Sequence, residues 1–380
     1  MNSCISKMKS IVLLPVLLIG LMACGSGGGN MGHLSLSLTD AATDQYDAVY
    51  VTVKEVDVQA VNAMADSWTT VATPNRTFNL LTLANGVREQ LGLATLSAGH
   101  YTQLRLIIGT QADSGVNILS QAHPFANYVI DTSNQYHELK VPSGMQTGVK
   151  IVQGFDINEN STTELILDFS ASQSVVVAGK SGKYLLKPTI KGLPSTLASI
   201  ISGTVTKAAD QSAIEGALVS AQVYDAQAAD VRDQVVVKTS TLSINTGAYS
   251  LFIAAGAYNL VASKLGFGPS AVAITAAAGT TPTQDFSLAA ADAGTVSGAA
   301  SITGAGDETF VTLSFRQKVT LNAVDVMIEI VSINVANGGN YSVDLPAGTY
   351  SVVSSTLGMT TQQADVIVNA GATTTFDVLF

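Results

Sequence analysis

Short runs in which apolar and polar residues alternate recur along most of the chain. The run 33–38, His-Leu-Ser-Leu-Ser-Leu, places its leucines on one face, which is the two-residue period of a half-buried strand. Similar runs lie at 49–58, 78–83, 101–108, 149–155, 164–169 and 184–190. Because clusters of Gly, Asn and Asp separate the runs, the pattern predicts an all-β fold of several β-sandwiches with mainly antiparallel pairing. One helical turn is expected within 80–91.

The first 24 residues have the pattern of an export signal. Lys7 and Lys9 precede an apolar run over 11–21, and the small residue Ala23 stands before Cys24. The apolar run is shorter than the roughly 20 residues that span a bilayer. We therefore predict a signal peptide over 1–23, cleaved between Ala23 and Cys24. The alternative is an ordinary signal peptide that happens to contain a cysteine.

The end of this segment, Leu-Met-Ala-Cys at 21–24, resembles the lipobox of bacterial lipoproteins. The resemblance implies that Cys24 is lipidated and holds the chain on a membrane, since each buried methylene contributes about 0.8 kcal/mol. Residues 24–31 then form the lipidated cysteine and a Gly-rich tether. Gly25 stands where an inner-membrane retention signal would have Asp, so the resemblance implies the outer membrane. It leaves open whether the protein faces the periplasm or the cell surface.

The region 32–192 is predicted to be one β domain. Its opening, LSLSLTDAATDQYDAVYVTVKEVDV, and its close, LILDFSASQSVVVAGKSGKYLLKPTIKGL, resemble the two ends of domain-of-unknown-function family 4382. The chain has Ala42 where that family usually has proline. The resemblance implies a lipid-anchored or secreted β domain and supplies no chemistry. Asp40, Asp44 and Asp47 are interpreted as a turn whose carboxylates cap nearby amides.

The remainder contains an internal repeat. Residues near 245 read NTGAYSLFIAAGAYNLVASKLGF and residues near 337 read NGGNYSVDLPAGTYSVVSSTLGM, with Tyr249 and Tyr258 spaced like Tyr341 and Tyr350. Each unit is predicted to be a hairpin that turns at Ala-Gly. With Gly-Thr-Val at 203–205 and Ile-Glu-Gly-Ala at 214–217, the copy over 200–288 resembles the carboxypeptidase regulatory-like, transthyretin-like sandwich, whose fold is described as carbohydrate-binding-like. The copy over 294–380 is predicted to be a second, divergent sandwich.

Composition narrows the classes of function. Charged residues make up 12% of the chain and the formal net charge is −10. An acidic protein without a Lys/Arg cluster repels phosphate backbones, so nucleic acid is not expected as a partner. Of the two cysteines, Cys4 lies in the predicted signal peptide and Cys24 begins the mature chain. The domains themselves therefore have no disulfide and no thiol catalyst.

Catalytic motifs are incomplete. His137-Glu138 begins a zinc-protease motif, but Val141 stands where the second histidine is needed. No cofactor is expected, apart from a possible calcium ion at Asp156, Asn158 and Asn160, whose oxygens alternate as in calcium loops. An ordinary polar turn is favoured there, because the glycine and the closing glutamate of such loops are absent.

Three functions remain open at this point. The favoured one is a membrane-anchored, non-enzymatic envelope protein that serves as a structural, adhesion or ligand-binding module, with an envelope protein or polysaccharide as partner. The second is a carbohydrate-binding surface protein, for which Trp68, the single indole, is a candidate contact. The third is an enzyme with an unrecognised carboxylate site, for example a glycosidase.

Overall fold

The computed structural model describes residues 30–41, 43, 45–64, 67–142, 148–178, 183–305 and 309–380. Across these residues the regular structure is almost all strand, as the alternating pattern predicts. Helical structure here consists of α1 (Ala171–Ser174) and of short 3-10 turns at Leu80–Leu83, Ser195–Leu197 and Val231–Gln234. None of the helices in this part of the chain is long and apolar enough to cross a bilayer.

The first domain is a two-sheet sandwich. Its strands are β1 (Met31–Ala41), β2 (Tyr46–Ala60), β3 (Thr69–Ala72), β4 (Arg76–Asn79), β5 (Glu89–Ser97), β6 (Gly99–Ile108), β7 (Tyr128–Asp131), β8 (Tyr136–Lys140), β9 (Val149–Ile151), β10 (Phe155–Ile157), β11 (Thr162–Ser170), β12 (Val175–Ala178), β13 (Lys183–Leu186) and β14 (Ile190–Pro194). One sheet has the order β14-β11-β1-β5, and the other contains β10-β6-β2-β7-β8-β13-β12 with β3 and β4 on β2 and β9 on β6.

Period-two alternation explains how these strands bury their apolar faces. Leu34, Leu36 and Leu38 of β1 are fully buried and pack in one cluster with valines of β2 from the opposite sheet. The pairing is mainly antiparallel, as expected, but β1 and β11 run parallel in the middle of their sheet. A parallel pair needs a long crossover, and the many strands between β1 and β11 supply it.

Two of the expected strands are shorter than the pattern suggests. The run 78–83 leaves the sheet at Asn79 and continues as the 3-10 turn Leu80–Leu83, which is the helical turn expected within 80–91. The run 149–155 is broken into β9 and β10. Residues 152–154 face only residues 102 and 103 of β6, so the extra residue forms a bulge that interrupts the pairing.

The second and third domains share one strand order. The second contains β15 (Ala198–Lys207), β16 (Leu218–Tyr224), β17 (Val235–Leu242), β18 (Ala248–Ala254), β19 (Gly256–Ser263), β20 (Ser270–Ala276) and β21 (Phe286–Leu288). The third contains β22 (Ala293–Ser301), β23 (Phe310–Leu321), β24 (Val324–Ala336), β25 (Gly339–Pro346), β26 (Gly348–Ser355), β27 (Gln362–Val368), β28 (Thr373–Thr375) and β29 (Val378–Leu379). The sheets β18-β15-β21 and β17-β16-β19-β20 recur as β25-β22-β28 and β24-β23-β26-β27.

The divergent third domain therefore has the fold of the second. Its tyrosines also occupy equivalent places. Tyr249 donates a hydrogen bond to the backbone oxygen of Gln284, and Tyr341 donates to that of Phe376, a separation of 35 residues in both cases. The third domain lacks a counterpart of the Ile-Glu-Gly-Ala segment at 214–217. Its long strands β23 and β24 nevertheless form the same sheet.

The predicted hairpins at Ala-Gly are wrong. β18 and β19 lie in different sheets, as do β25 and β26, so the chain crosses the sandwich at each Ala-Gly instead of folding back in one sheet. The reason is that the buried faces of the two strands pack against each other across the core. After each crossing a tyrosine donates a hydrogen bond to the carbonyl four residues earlier, Tyr258 to Ala254 at 2.9 Å and Tyr350 to Pro346 at 2.8 Å.

The first domain uses the same device. Between β5 and β6, which also lie in different sheets, Tyr101 donates to the carbonyl of Ser97 at 3.1 Å. We call these three crossings the tyrosine arches. The arch of the second domain, which contains Tyr258, requires glycine at position 256. A Cβ there would lie 2.8 Å from the Tyr258 hydroxyl oxygen.

The first and third domains are joined through their sheets. Val177 of β12 pairs in parallel with Val335 of β24, so the larger sheet of the first domain continues into the sheet of the third domain as 14 strands. This contact could not be read from the alternation of either strand, because the two residues lie far apart in sequence.

Candidate functional site at the domain junction

The predicted anchor residues Ala23 and Cys24 lie outside the described residues, so lipidation stays a prediction. Of the proposed calcium ligands, Asp156 lies on β10 and its carboxylate is 2.8 Å from Nδ1 of His100. Asn158 and Asn160 follow in the turn before β11, where the backbone N–H of Asn160 donates to Met31. Among the described residues no group of three or more His, Cys, Asp or Glu side chains is placed to hold a metal ion. The calcium site stays a prediction.

The interpretation of Asp40 as a local cap is wrong. Asp40 lies inside β1, is 3% exposed, and accepts a hydrogen bond from the backbone N–H of Ala171, 131 residues later. Its other carboxyl oxygen, Oδ2, has no hydrogen-bond partner in the structure. Burial raises the pKa of Asp40 well above its ordinary value, and the nearby carboxylate of Asp168 adds to the rise. Asp44 lies outside the described residues.

Trp68 packs beside charged groups of the first domain. Its ring lies 4.5 Å from the guanidinium carbon of Arg105, which also forms an ion pair with the buried Asp57 at 2.6 Å. Thr70 donates to the second oxygen of the same carboxylate at 2.9 Å. The indole therefore covers an ion pair whose carboxylate is buried, and it stacks on the cation of that pair.

Polar side chains connect the first domain to the second. The amine of Lys191 on β14 donates to the carbonyl of Lys238 at 2.9 Å. Asn85 accepts a hydrogen bond from the Thr241 hydroxyl at 2.9 Å, and its own backbone N–H donates to that hydroxyl at 2.8 Å. These contacts reach strand β17 from two separate segments of the first domain.

The second and third domains meet through a glutamine. Gln222 is 1% exposed, and its side-chain amide donates to the carbonyl of Glu329 at 2.7 Å and accepts from its backbone N–H at 2.8 Å. Nearby, the buried guanidinium of Arg316 donates to the carbonyls of Val231 at 2.7 Å and Arg232 at 2.8 Å. One side chain from each domain thus satisfies backbone groups of the other.

The first and third domains also share polar contacts. Gln45 donates to the carbonyl of Ser332 at 3.0 Å, and the amine of Lys187 lies 3.9 Å from the centre of the Phe310 ring. All three domains therefore converge on β24 of the third domain.

A cavity of about 270 Å³ lies at this junction. We call it the junction cavity. Its walls come from the end of β1 and from β11, α1 and β14 of the first domain, β16 and β17 of the second, and β23 and β24 of the third. More than half of its lining residues are Ser, Thr, Asn or Gln, and its charged residues are Asp168, Lys191, Lys238 and Glu329. Three smaller cavities also border β24.

Asp168 and Glu329 both line the junction cavity, and their carboxyl groups lie deep in the molecule. Burial raises the pKa of Asp168 to about 6, against the opposing effects of Lys191 and a hydrogen bond from Thr239. Burial also raises the pKa of Glu329, although the hydroxyl of Ser314 donates to it and Arg316 lies nearby. Asp168 of β11 and Lys191 of β14 lie opposite each other in the register of these two neighbouring strands. Burial lowers the pKa of Lys191, and Asp168 opposes that effect.

Sequence reasoning did not identify these residues as a site. A signal for two of them exists, because Asp168 and Glu329 are charged residues inside otherwise apolar runs (LILDF and MIEIV). A charge in such a run has to meet a partner or a cavity, because burying it alone is costly. Which residues they meet depends on how the domains dock.

Comparison with known proteins supports the domain order. Residues 31–188 match the domain of unknown function DUF4382, and residues 200–289 match the carboxypeptidase regulatory-like domain. No curated protein matches the chain.

The solved structures that match the chain include two bacterial pilins. The TIE protein of Bacillus anthracis is 12% identical over 92% of this chain and 50% of its own, with a TM-score of 0.21. A Streptococcal ancillary pilin is 9% identical over 91% of this chain and 98% of its own, with a TM-score of 0.20. The minor pilin GBS52 of Streptococcus agalactiae is 14% identical over 48% and 94%, with a TM-score of 0.19.

The chain spans half the length of the TIE protein. At such TM-scores these likenesses carry no functional argument. The family matches are independent of them. The chain therefore contains a DUF4382 domain over residues 31–188, followed by a carboxypeptidase regulatory-like domain over residues 200–289.

Proposed function

We propose that the protein is a lipid-anchored, non-enzymatic component of the cell envelope that serves as a structural and ligand-binding module. The observation that carries the proposal is that hydrogen bonds link every pair of domains: Lys191 to Lys238, Gln222 to Glu329 and Gln45 to Ser332. Contacts of this kind restrain the relative motion of the sandwiches. A tethered protein with restrained domains suits presentation of a binding surface to an envelope protein or polysaccharide.

The anchor in this proposal is lipid on Cys24, in the outer membrane. The support is the sequence alone: a basic start, an apolar run and Leu-Met-Ala-Cys at 21–24. Two or three acyl chains hold a protein on a bilayer durably, whereas one is marginal. Residues 25–30 separate the lipidated cysteine from β1.

The test of the anchor is metabolic labelling with radioactive palmitate. The parent and a Cys4→Ser variant should incorporate label and fractionate with membranes, whereas Cys24→Ser should lose both. Cys4→Ser is the matched control because it also removes one thiol from the N-terminal segment. Equal labelling and unchanged fractionation of Cys24→Ser would refute the anchor. Protease shaving of intact cells then distinguishes the surface from the periplasmic face.

One observation favours a second candidate, an enzyme that acts on glycosides. Asp168 and Glu329 line one cavity, and burial raises the pKa of both carboxyl groups. Glycosidases use a pair of carboxyl groups, of which the general acid has a raised pKa. The test is hydrolysis of a panel of nitrophenyl glycosides by the parent and by Glu329→Gln. Turnover that disappears in the variant would replace the non-enzymatic proposal.

A further inference from the structure

The junction cavity has the size of a small-ligand site. Its volume of about 270 Å³ lies near the lower end of the range of roughly 300–1,000 Å³ typical of ligand pockets. Such a space accommodates one ring of a sugar and not a large cofactor. Exposed residues such as Gln173 and Lys238 belong to its lining, so the cavity is connected to solvent.

The charges around the junction cavity balance. Asp168 and Glu329 carry the acidic groups, and Lys191 and Lys238 carry the basic ones. A site for a metal ion or an organic cation would have an excess of carboxylates, and a site for an anion would have an excess of amines. The balance favours a ligand without net charge.

The uncharged lining is rich in both donors and acceptors. A hydroxyl such as that of Ser172 both donates and accepts, and the amide of Gln173 adds two N–H donors and a carbonyl acceptor. Between them lie apolar side chains, Val237, Phe310 and Val331, which can contact C–H groups. A ligand that matches this surface carries several hydroxyls on an apolar ring.

One buried polar atom at the cavity lacks a partner. Oδ1 of Asp168 accepts no hydrogen bond in the structure, although the carboxyl group is surrounded by protein. The amine of Lys191 pairs with the carbonyls of Val237 and Lys238. An acceptor of this kind costs about 1–3 kcal/mol, and because Oδ1 is shielded from solvent, a ligand hydroxyl reaches it only when the cavity wall shifts.

The walls are held in place before any ligand arrives. Both ends of the Gln222 amide are bound to Glu329, and the Glu329 carboxylate accepts from Ser314. Because these groups are already ordered, a ligand loses little free energy to ordering them.

We propose that the junction cavity is a binding site for one neutral, polyhydroxylated ring of monosaccharide size, with Asp168 and Glu329 in its wall. The proposal does not depend on lipidation of Cys24. It adds a ligand class and a location to the binding role.

The test is saturation-transfer NMR and calorimetry on the detergent-solubilised full-length protein. The probes are D-glucose, D-galactose and N-acetyl-D-glucosamine, with glycine betaine and spermidine as zwitterionic and cationic comparators. At least one sugar should bind while betaine and spermidine do not. Asp168→Asn should weaken that binding at least tenfold, whereas Asp47→Asn, an exposed change on β2, should leave it unchanged.

A second variant guards against a folding defect in Asp168→Asn. Ser172→Trp adds a large side chain to the α1 wall of the cavity and leaves both carboxyl groups in place. It should also abolish sugar binding while its melting temperature stays near that of the parent. The proposal is overturned if none of the three sugars binds the parent, if betaine or spermidine binds instead, or if folded Ser172→Trp binds sugar like the parent.

Discussion

The side chain of Gln222 forms two reciprocal hydrogen bonds with the backbone of Glu329, one domain further along the chain. The pair imitates the pairing of two strands with a side chain in place of one backbone. Because the amide of Gln222 is almost fully buried, these two bonds are shielded from water in the folded protein.

We expect Gln222→Ala to lower the free energy of unfolding by about 2–3 kcal/mol, because it leaves a buried N–H and a carbonyl unpaired. Chemical denaturation measures the loss. Hydrogen exchange at the Glu329 amide should accelerate in the same variant. Gln227→Ala, at an exposed position in the loop after β16, is the control and should match the parent. If the Glu329 amide exchanges as slowly in Gln222→Ala as in the parent, the pair does not hold the second and third domains together.

The pKa of Asp168 predicts a dependence of stability on pH. Its folded-state value of about 6 is higher than its ordinary value of 3.8, so the folded protein binds the proton more tightly. The contribution of this group is therefore greatest below about pH 4, falls as pH rises to about 6, and is constant above. The fall amounts to about 3 kcal/mol.

The variant Asp168→Asn removes this titration. Relative to the parent, it should gain stability progressively between pH 4 and pH 6, measured by denaturation at fixed temperature. Asp47→Asn is exposed and should keep the slope of the parent. If the difference between the parent and Asp168→Asn is the same at pH 4 and at pH 7, the raised pKa is wrong.

The buried ion pair beneath Trp68 predicts that replacing its arginine costs much more stability than replacing an arginine in an exposed ion pair. Arg105→Ala leaves the carboxylate of Asp57 buried without its cation, and we expect a loss of about 3–5 kcal/mol. Arg76→Ala breaks the exposed pair with Glu89, and we expect a loss of at most about 1 kcal/mol.

Trp68 reports on the first change directly, since it is the single tryptophan of the chain. Its fluorescence maximum should shift in Arg105→Ala, where the guanidinium 4.5 Å from its ring is lost, and should stay unchanged in Arg76→Ala. Equal losses of stability in the two variants would contradict the difference in burial on which the prediction depends.

The hydrogen bonds of the tyrosine arches predict how much one tyrosine hydroxyl contributes to the stability of the protein. Tyr350 is fully buried and donates to the carbonyl of Pro346 at 2.8 Å, so Tyr350→Phe should cost about 1–2 kcal/mol. Thermal and chemical unfolding measure the cost. Tyr224→Phe removes a hydroxyl outside the arches and should cost less. A parent-like melting temperature in Tyr350→Phe would mean that ring packing alone holds the arch.

Residues close in sequence determined the fold class and the order of the domains. Alternating runs such as that of Leu34, Leu36 and Leu38 bury one face whichever strand lies beside them, so a two-residue period predicts strands from local pattern alone. The spacing of Tyr249 and Tyr258 likewise revealed the repeat. The same spacing did not separate a hairpin from an arch, because both place the tyrosine on a buried face and only the partner strand differs.

The tertiary structure alone decided the junction and its cavity. Asp168, Gln222 and Glu329 come from three domains, and their contacts depend on how those domains dock. A buried charge in an apolar strand indicates that a partner or a cavity must exist, because desolvation of the charge is costly. The alternation within one strand does not determine which distant strand provides it, so a site built from three domains was not visible in any one of them.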